Sequence, residues 1–415
     1  MGCLRVMNES RIHINVIGDG KLRRRYHDAA DHLGVDGQIT WYGWLKHDEA
    51  VKVMSKSDVM VITSLWDLTS TVLLEALAMG KPVICLDHCG FSDVVDETCG
   101  IKISVGSPHD VIVGFANAIS KMMDSKLRKR LSCGAIEKAR QYLWTEKAKA
   151  LKKIYGGVGK KVLVSVYACS PYRGSEPGMG WNFLKAIAND NKVWAIVEEE
   201  KWRADIEKYL LEHPTEMRNV HWTFIHKPRA RLLRKIWPPS YYWFYRIWQW
   251  RAYKKARELH ATIRFDLVHQ LNMVGFREPG YLWKMDIPFV WGPVGGLGKT
   301  DVRLFPLLGF WGCIEFVFRR IINTMHTLVM VRPRKAAKVA AHGNGLIAAT
   351  GENKSEIHRI WNCDSTVMCE IGVDNVKCGC NATNGNDAIN ICWSGVFEYR
   401  KALPILLKAV KELTA

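Results

Sequence analysis

The stretch TSLWDLTSTVLLEALAMGKPVI (63–84) joins a polar turn, an apolar helix over 70–80 and the opening of a strand, PVICLD (82–87). Thr69, Ser70 and Thr71 stand at the helix start, where their hydroxyls can cap it and the free N–H groups face an anion. Glu75 follows one turn on. It can accept hydrogen bonds from sugar hydroxyls while the helix end holds phosphates, or it is a solvated glutamate on a capped helix. Upstream, IHINVIG (12–18), QITWYGW (38–44) and DVMVITS (58–64) read as strands. Lys21–Leu33 and His47–Ser55 read as the helices between them. This alternation predicts a parallel sheet with helices on both faces and a ligand site outside the carboxyl ends of the strands. At one such end, Gly18-Asp19-Gly20 suits close approach of backbone to a phosphate, although the tripeptide is also a common turn.

Downstream, GGVGKK (156–161) reads as a joint and KVLVSVYA (161–168) as a new strand. CSPYRGSEPGMGW (169–181) follows, with Gly174, Gly178 and Gly180 where strand turns into helix. These glycines predict unusual backbone conformations and N–H groups near a phosphate. Glu176 beside them either orients an acceptor hydroxyl or caps the helix. The chain's last stretch, INICWSGVFEYRKALPILLKAVKEL (389–413), reads as a strand, a basic turn and an amphipathic helix.

The chain has 415 residues, 48% hydrophobic and 24% charged, which excludes disorder as its main state. A formal charge of +18 predicts an anionic partner, whether nucleotide phosphate, anionic lipid or nucleic acid. MGCLRVMNES (1–10) lacks the apolar run of a signal peptide. The apolar stretch 304–331 is interrupted by Glu315, Arg319 and Arg320, so an interfacial or buried helix is expected there rather than a spanning one. Twelve cysteines are scattered without metal spacing, Cys363, Cys369, Cys378 and Cys380 coming nearest to it. Reduced core thiols and no bound metal are expected.

Residues 12–155 resemble the donor-binding lobe of family 4 retaining glycosyltransferases, which have the GT-B fold. The resemblance rests on the GDG turn, the WYGW strand end, SDVMVITSLWD, LLEALAMGKPVI, GIKI and YLWTEKAKALKKIY. GSEPGMGW, FDLVHQLNMVGFREPGYLW (265–283), IPFVWGPVGG (287–296), GLIAAT and CEIGVD are similar to pieces of the acceptor lobe in the same family. There the acceptor lobe comes first, whereas here the order is inverted. The segment 389–413 resembles the missing first strand and helix of the donor lobe.

The resemblance therefore implies an α/β, GT-B architecture of two Rossmann-like lobes facing a cleft, the donor lobe split between the chain ends. The expected domains are 1–157 (donor lobe lacking its first strand and helix), 158–384 (acceptor lobe) and 385–415 (the completing strand and helix). Strand 389–394 is then expected to pair in parallel beside strand 12–17. Circular permutation of one enzyme and fusion of two partial enzymes both remain open.

The family carries two acidic residues with seven residues between them, matched here by Asp67, in place of the more usual Glu, and Glu75. Glu75 is expected on the ribose and Asp67 near the donor sugar. Lys401 matches the lysine placed on the diphosphate, with Arg400 a possible substitute for the family's neighbouring arginine. Thr69–Thr71 and the glycines at 18, 20, 174, 178 and 180 are expected to help hold phosphates. A histidine common after the strand corresponding to IPFVW is replaced by Gly292-Pro293. His269 is accordingly a candidate polar contact, as a catalytic or merely structural residue, with Asn272 and Arg277 behind it. No cofactor or metal is implied, because the UDP- or GDP-linked sugar is a substrate. The acceptor is expected to be a glycan or a lipid-linked glycan.

KPRARLLRKIWPPSYYWFYRIWQWRAYKKARELH (227–260) interleaves aromatics with cations. It suits an anionic membrane surface best, which together with the resemblance implies a cytoplasmic protein peripheral on the inner membrane face. Half of its rings could equally be core, and single-stranded nucleic acid is the less favoured partner. An inactive fusion and a basic nucleic-acid-binding protein are the alternatives to an enzyme.

Overall fold

The computed structural model describes residues 11–228, 240–299, 301–376 and 388–414. The leader question at 1–10, the boundary expected at 384, residues 229–239 of the basic aromatic stretch, Cys378 and Cys380 lie outside them. Strands run in chain order as β1 (Ile12–Ile17), β2 (Ile39–Gly43), β3 (Val59–Ile62), β4 (Val83–Leu86) and β5 (Gly100–Ile103). Then come β6 (Lys161–Val166), β7 (Lys192–Glu198), β8 (Val220–Ile225), β9 (Leu267–Asn272) and β10 (Phe289–Val294). β11 (Leu346–Ala348), β12 (Thr366–Val367) and β13 (Ile389–Ser394) follow. The protein is α/β with two parallel sheets, and it divides into two compact units, as a two-lobe Rossmann-like GT-B fold does. The first unit takes the described parts of 1–143, 299–322 and 373–415, the second 144–298 and 323–372.

In the first unit the strand order is β2-β1-β13-β3-β4-β5. β13 arrives from the far end of the sequence and lies between β1 and β3. It pairs in parallel with β1 from Ile12 opposite Ile389 to Ile17 opposite Ser394, and with β3 at Ile391–Val59 and Cys392–Met60. A central parallel strand is covered on both faces and must be apolar on both. INICWS meets this demand: Ile389, Ile391 and Trp393 join the core on one side, and Cys392 is buried on the other. The helix Pro404–Thr414 then buries Ile405, Leu406, Leu407, Ala409, Val410 and Leu413 and packs on the helix Pro108–Lys121. Without this segment β1 and β3 would present unpaired apolar edges.

The second unit orders its strands β12-β11-β10-β9-β6-β7-β8. Every residue of β9 and β10 is buried. The helix Ser240–Ile263 carries the described part of the basic aromatic stretch and divides its rings. Tyr245, Trp248 and Tyr253 are core, whereas Tyr242, Trp243 and Trp250 are exposed.

The compact units depart from the sequence-level boundaries in three places, one being residues 373–376, which fall in the first unit. The helix Trp144–Ile154 belongs to the second unit, where Trp144 packs edge-on against Phe183 at 5.2 Å between ring centroids. Residues 299–322 belong to the first, because Leu304, Leu308 and Phe316 enter its core. The apolar stretch 304–331 is a 3-10 segment, Val302–Leu308, followed by the helix Gly309–Val329. No described helix is long and apolar enough to cross a membrane. Cys363 and Cys369 form no disulfide, but Cys133, half-exposed on the helix Ser125–Arg140, is disulfide-bonded, which corrects the expectation of reduced thiols at that position.

Candidate active site

The carboxyl ends of β1, β13 and β3 lie side by side in the first unit, and three loops leave them together. The turn after β1 passes directly under the turn after β13. Gly395 N–H donates to Ile17 O at 3.0 Å, and Phe397 N–H to Asp19 O at 3.0 Å. Gly18 has φ +135°, and a Cβ there would stand 1.9 Å from Gly395 O. Gly20 has φ +159°, and its Cβ would meet Phe397 N and O at 2.9 Å. Both glycines are thus required for contact between two turns far apart in sequence.

The turn Tyr399–Lys401 is docked on the loop after β3. Thr63 Oγ1 donates to Lys401 O at 2.7 Å, and Leu65 N–H donates to Arg400 O at 2.8 Å. Trp393 Nε1–H reaches Thr63 Oγ1 at 2.9 Å from below. So held, Lys401 Nζ donates to Asp67 Oδ2 at 2.5 Å, and Arg400 Nη1 stands 3.4 Å from the same oxygen. Arg400 Nε also bonds Glu398 Oε2 at 2.9 Å. Two cations and a carboxylate from opposite ends of the chain therefore share one place at the sheet's carboxyl edge. Charge-assisted bonds of this kind fix both partners in position.

Asp67 precedes the helix Thr71–Ala78, and Glu75 lies on its second turn. Glu75 Oε1 is 2.8 Å from His47 Nε2. The hydrogen bond to Glu75 raises the His47 pKa above its ordinary 6.5, burial opposing. Ser70 is the N-cap residue, but its side chain makes no capping hydrogen bond, which corrects the hydroxyl cap expected there. Thr69 is buried beside Gly90, whose added Cβ would lie 2.3 Å from Thr69 Oγ1. Thr71 opens the helix. His47 is the site neighbour that the sequence reading missed. Its signal was the helix start after WYGW, which carries no local mark of pairing with Glu75.

The second unit holds the remaining candidates. The helix Ser175–Ala188 begins at Gly174, whose φ of −73° is open to any residue. Gly178 and Gly180 lie inside this helix, where added Cβ atoms would stand 2.4 Å from Arg173 O and 2.2 Å from Ala168 O. Their role is close backbone packing, which corrects the expectation of unusual dihedrals at 174, 178 and 180. The positive φ falls on Ser175 instead, at 57°. Glu176 Oε1 accepts from Val274 N–H at 2.8 Å, and burial raises its pKa.

His269 is fully buried, with Tyr155 Oη 2.6 Å from Nδ1 and Gly292 O 2.9 Å from Nε2. Burial lowers its pKa to about 4. A neutral ring donating to Gly292 and accepting from Tyr155 satisfies both nitrogens, so His269 offers no atom to a substrate in this arrangement. That is a correction to its place among the catalytic candidates. Asn272 is likewise spent, its Nδ2 donating to Ala168 O at 2.8 Å. Arg277 bonds Asn323 Oδ1 at 2.6 Å and His326 Nδ1 at 2.8 Å.

The chain has relatives of known sequence. Residues 4–139 match the family model of glycosyl transferases group 1. The chain is 31% identical over 123 residues to the lipopolysaccharide core biosynthesis glycosyltransferase LpsE of Rhizobium meliloti, covering 29% of this chain and 34% of that protein. It is 30% identical over 151 residues to a D-inositol 3-phosphate glycosyltransferase of Stackebrandtia nassauensis, covering 36% and 33%. LpsD of Rhizobium meliloti, another lipopolysaccharide core glycosyltransferase, is 31% identical over 142 residues, covering 34% and 40%. The matches thus span between a third and two fifths of these relatives' lengths.

Proposed function

We propose that this chain is a retaining, family 4-like glycosyltransferase of GT-B type, moving a hexose from a UDP- or GDP-linked donor to a glycan or lipid-linked acceptor. The carrying observation is the meeting of Lys401 and Arg400 with Asp67, beside the helix of Glu75, in the unit that contains the group 1 region. In this reading the bond from the anomeric carbon to the diphosphate breaks and a bond to the acceptor oxygen forms. The acceptor proton leaves with the phosphate oxygens. Lys401 and Arg400 stabilise the departing diphosphate, a task cationic side chains can perform in a site that excludes water. Donor binding would redirect Lys401 from Asp67 to phosphate and free Asp67 for the sugar. Glu75 would exchange His47 for the ribose hydroxyls.

The in-register place of β13 between β1 and β3 supports one donor lobe built from both chain ends, as a circular permutant, over two partial enzymes. The 158–384 region is assigned the acceptor, with Glu176 as the candidate for orienting its hydroxyl. The names of the relatives favour surface lipopolysaccharide or an inositol-type acceptor.

The test is a screen of UDP- and GDP-sugars for hydrolysis or transfer, with product configuration read by NMR. Turnover of one donor with retention supports the proposal. Absence of turnover with every donor and acceptor tried, or inversion, contradicts it.

A further inference from the structure

The helix Gly309–Val329 is apolar on the face turned away from the protein. Gly312 and Phe316 form its inner side in the first unit, Gly312 lying against Tyr399 and Phe316 against Trp66. On the outer side Phe310 is 72% exposed, Trp311 67%, Ile314 47%, Val317 44%, Phe318 64% and Ile321 53%. At 100° per residue these six occupy an arc of about 120° centred opposite Gly312 and Phe316. Scattered exposed apolar residues are ordinary, but a contiguous stripe on one helix marks an interaction surface.

Cations accompany this stripe. Arg320 is exposed on the same helix and flanks the stripe, whereas Arg319 falls on the side of Gly312 and pairs with Glu315 at 2.9 Å. Lys21 Nζ is 3.6 Å from Glu315 Oε2, and the guanidinium of Arg25 lies beside Gly309 at the helix start. The Arg24 side chain, one residue before, is 95% exposed. Aromatic and aliphatic side chains on one face, flanked by Arg320 and with Arg24 and Arg25 near the helix start, match a helix lying in the plane of a membrane interface. There Trp and Phe sit at headgroup depth and the cations meet lipid phosphates.

We infer that the outer face of Gly309–Val329, within residues 310–321, docks this protein on an anionic lipid bilayer. A second copy is the less suitable occupant. Face-to-face pairing of identical patches would set the same arginines against each other in a chain of formal charge +18. The inference names a docking surface distinct from the exposed rings Tyr242, Trp243 and Trp250, and it does not depend on the sugar-transfer reading.

The full chain is sedimented with vesicles of phosphatidylcholine alone and of three parts phosphatidylcholine to one part phosphatidylglycerol. Binding to the mixed vesicles is expected, with the bound fraction on phosphatidylcholine lower by about tenfold or more. The variant F310S/W311S/F318S changes exposed residues, and its folding is verified by an unchanged thermal transition. It is expected to lose mixed-vesicle binding by about tenfold or more. R24E/R320E is expected to lose the preference for phosphatidylglycerol, and W243S/W250S to bind as the parent does. Failure of the parent to bind mixed vesicles, or equal binding by the F310S/W311S/F318S variant, overturns the inference. So does a dimer, seen in sedimentation velocity without lipid, that this variant converts to monomer. Donor hydrolysis in the absence of lipid is expected to be unchanged in the same variant, so the two proposals fail separately.

Discussion

Lys401 Nζ lies 2.5 Å from Asp67 Oδ2, although the two residues are 334 positions apart in the sequence. The side chains are only 11% and 19% exposed, so solvent screens the pair less than it screens a surface ion pair. A double-mutant cycle with D67N and K401M, followed by urea unfolding, is expected to give a coupling of about 1 to 2 kcal/mol. Strictly additive effects would mean that the two do not interact in solution.

The His47–Glu75 contact predicts a titration that a bound nucleotide should move. The raised pKa means that the protonated ring is favoured in the folded state. Its contribution to stability is therefore full below the ordinary value of 6.5 and is lost as pH rises through the raised midpoint. An NMR titration should place His47 above 6.5, and E75Q should return it toward that value. A nucleoside diphosphate that takes Glu75 through its ribose should lower the His47 midpoint as well. A midpoint indifferent to E75Q would contradict the contact.

Trp393 is the largest side chain that β13 gives the first core, and its indole N–H is satisfied by Thr63. W393A should destabilise the protein by about 3–5 kcal/mol in chemical unfolding. A loss below about 1 kcal/mol would indicate that β13 is not seated in the sheet.

His269 gives a pH signature of opposite direction. Its pKa falls from 6.5 to about 4 on folding, so the unfolded chain binds the proton more readily. Its contribution is present above pH 6.5 and is lost as pH falls toward 4. H269Q should flatten the decline of stability in that window while leaving the pH profile of donor turnover unchanged. A shifted turnover profile would return His269 to the reaction.

Much of the fold could be read locally. The strand expected at 389–394 is observed at those residues, and the helices expected at 21–33 and 47–55 begin or end within two residues of that reading. Apolar periodicity carries such information because burial on a sheet or helix face is repeated along the element. The glycines defeated the same kind of reading. Gly18, Gly20 and Gly180 are required by backbone that approaches from elsewhere, Gly395, Phe397 and Ala168, and no local pattern encodes that approach. His269 looked available at a strand end, but the cover supplied by Tyr155 and Gly292 comes from segments more than twenty residues away. The pairing of Lys401 with Asp67 could be anticipated only through the resemblance of both segments to parts of one lobe.

The central claim is that residues from both ends of the chain form one nucleotide-binding pocket. Calorimetric titration of UDP and of GDP into the full chain, its E75A variant and its K401A variant tests it most directly. The account predicts that one nucleotide binds the parent and that each variant, folded by its thermal transition, weakens binding about tenfold or more. Parent-like affinity in folded K401A and E75A, or no binding of either nucleotide by the parent, would contradict it.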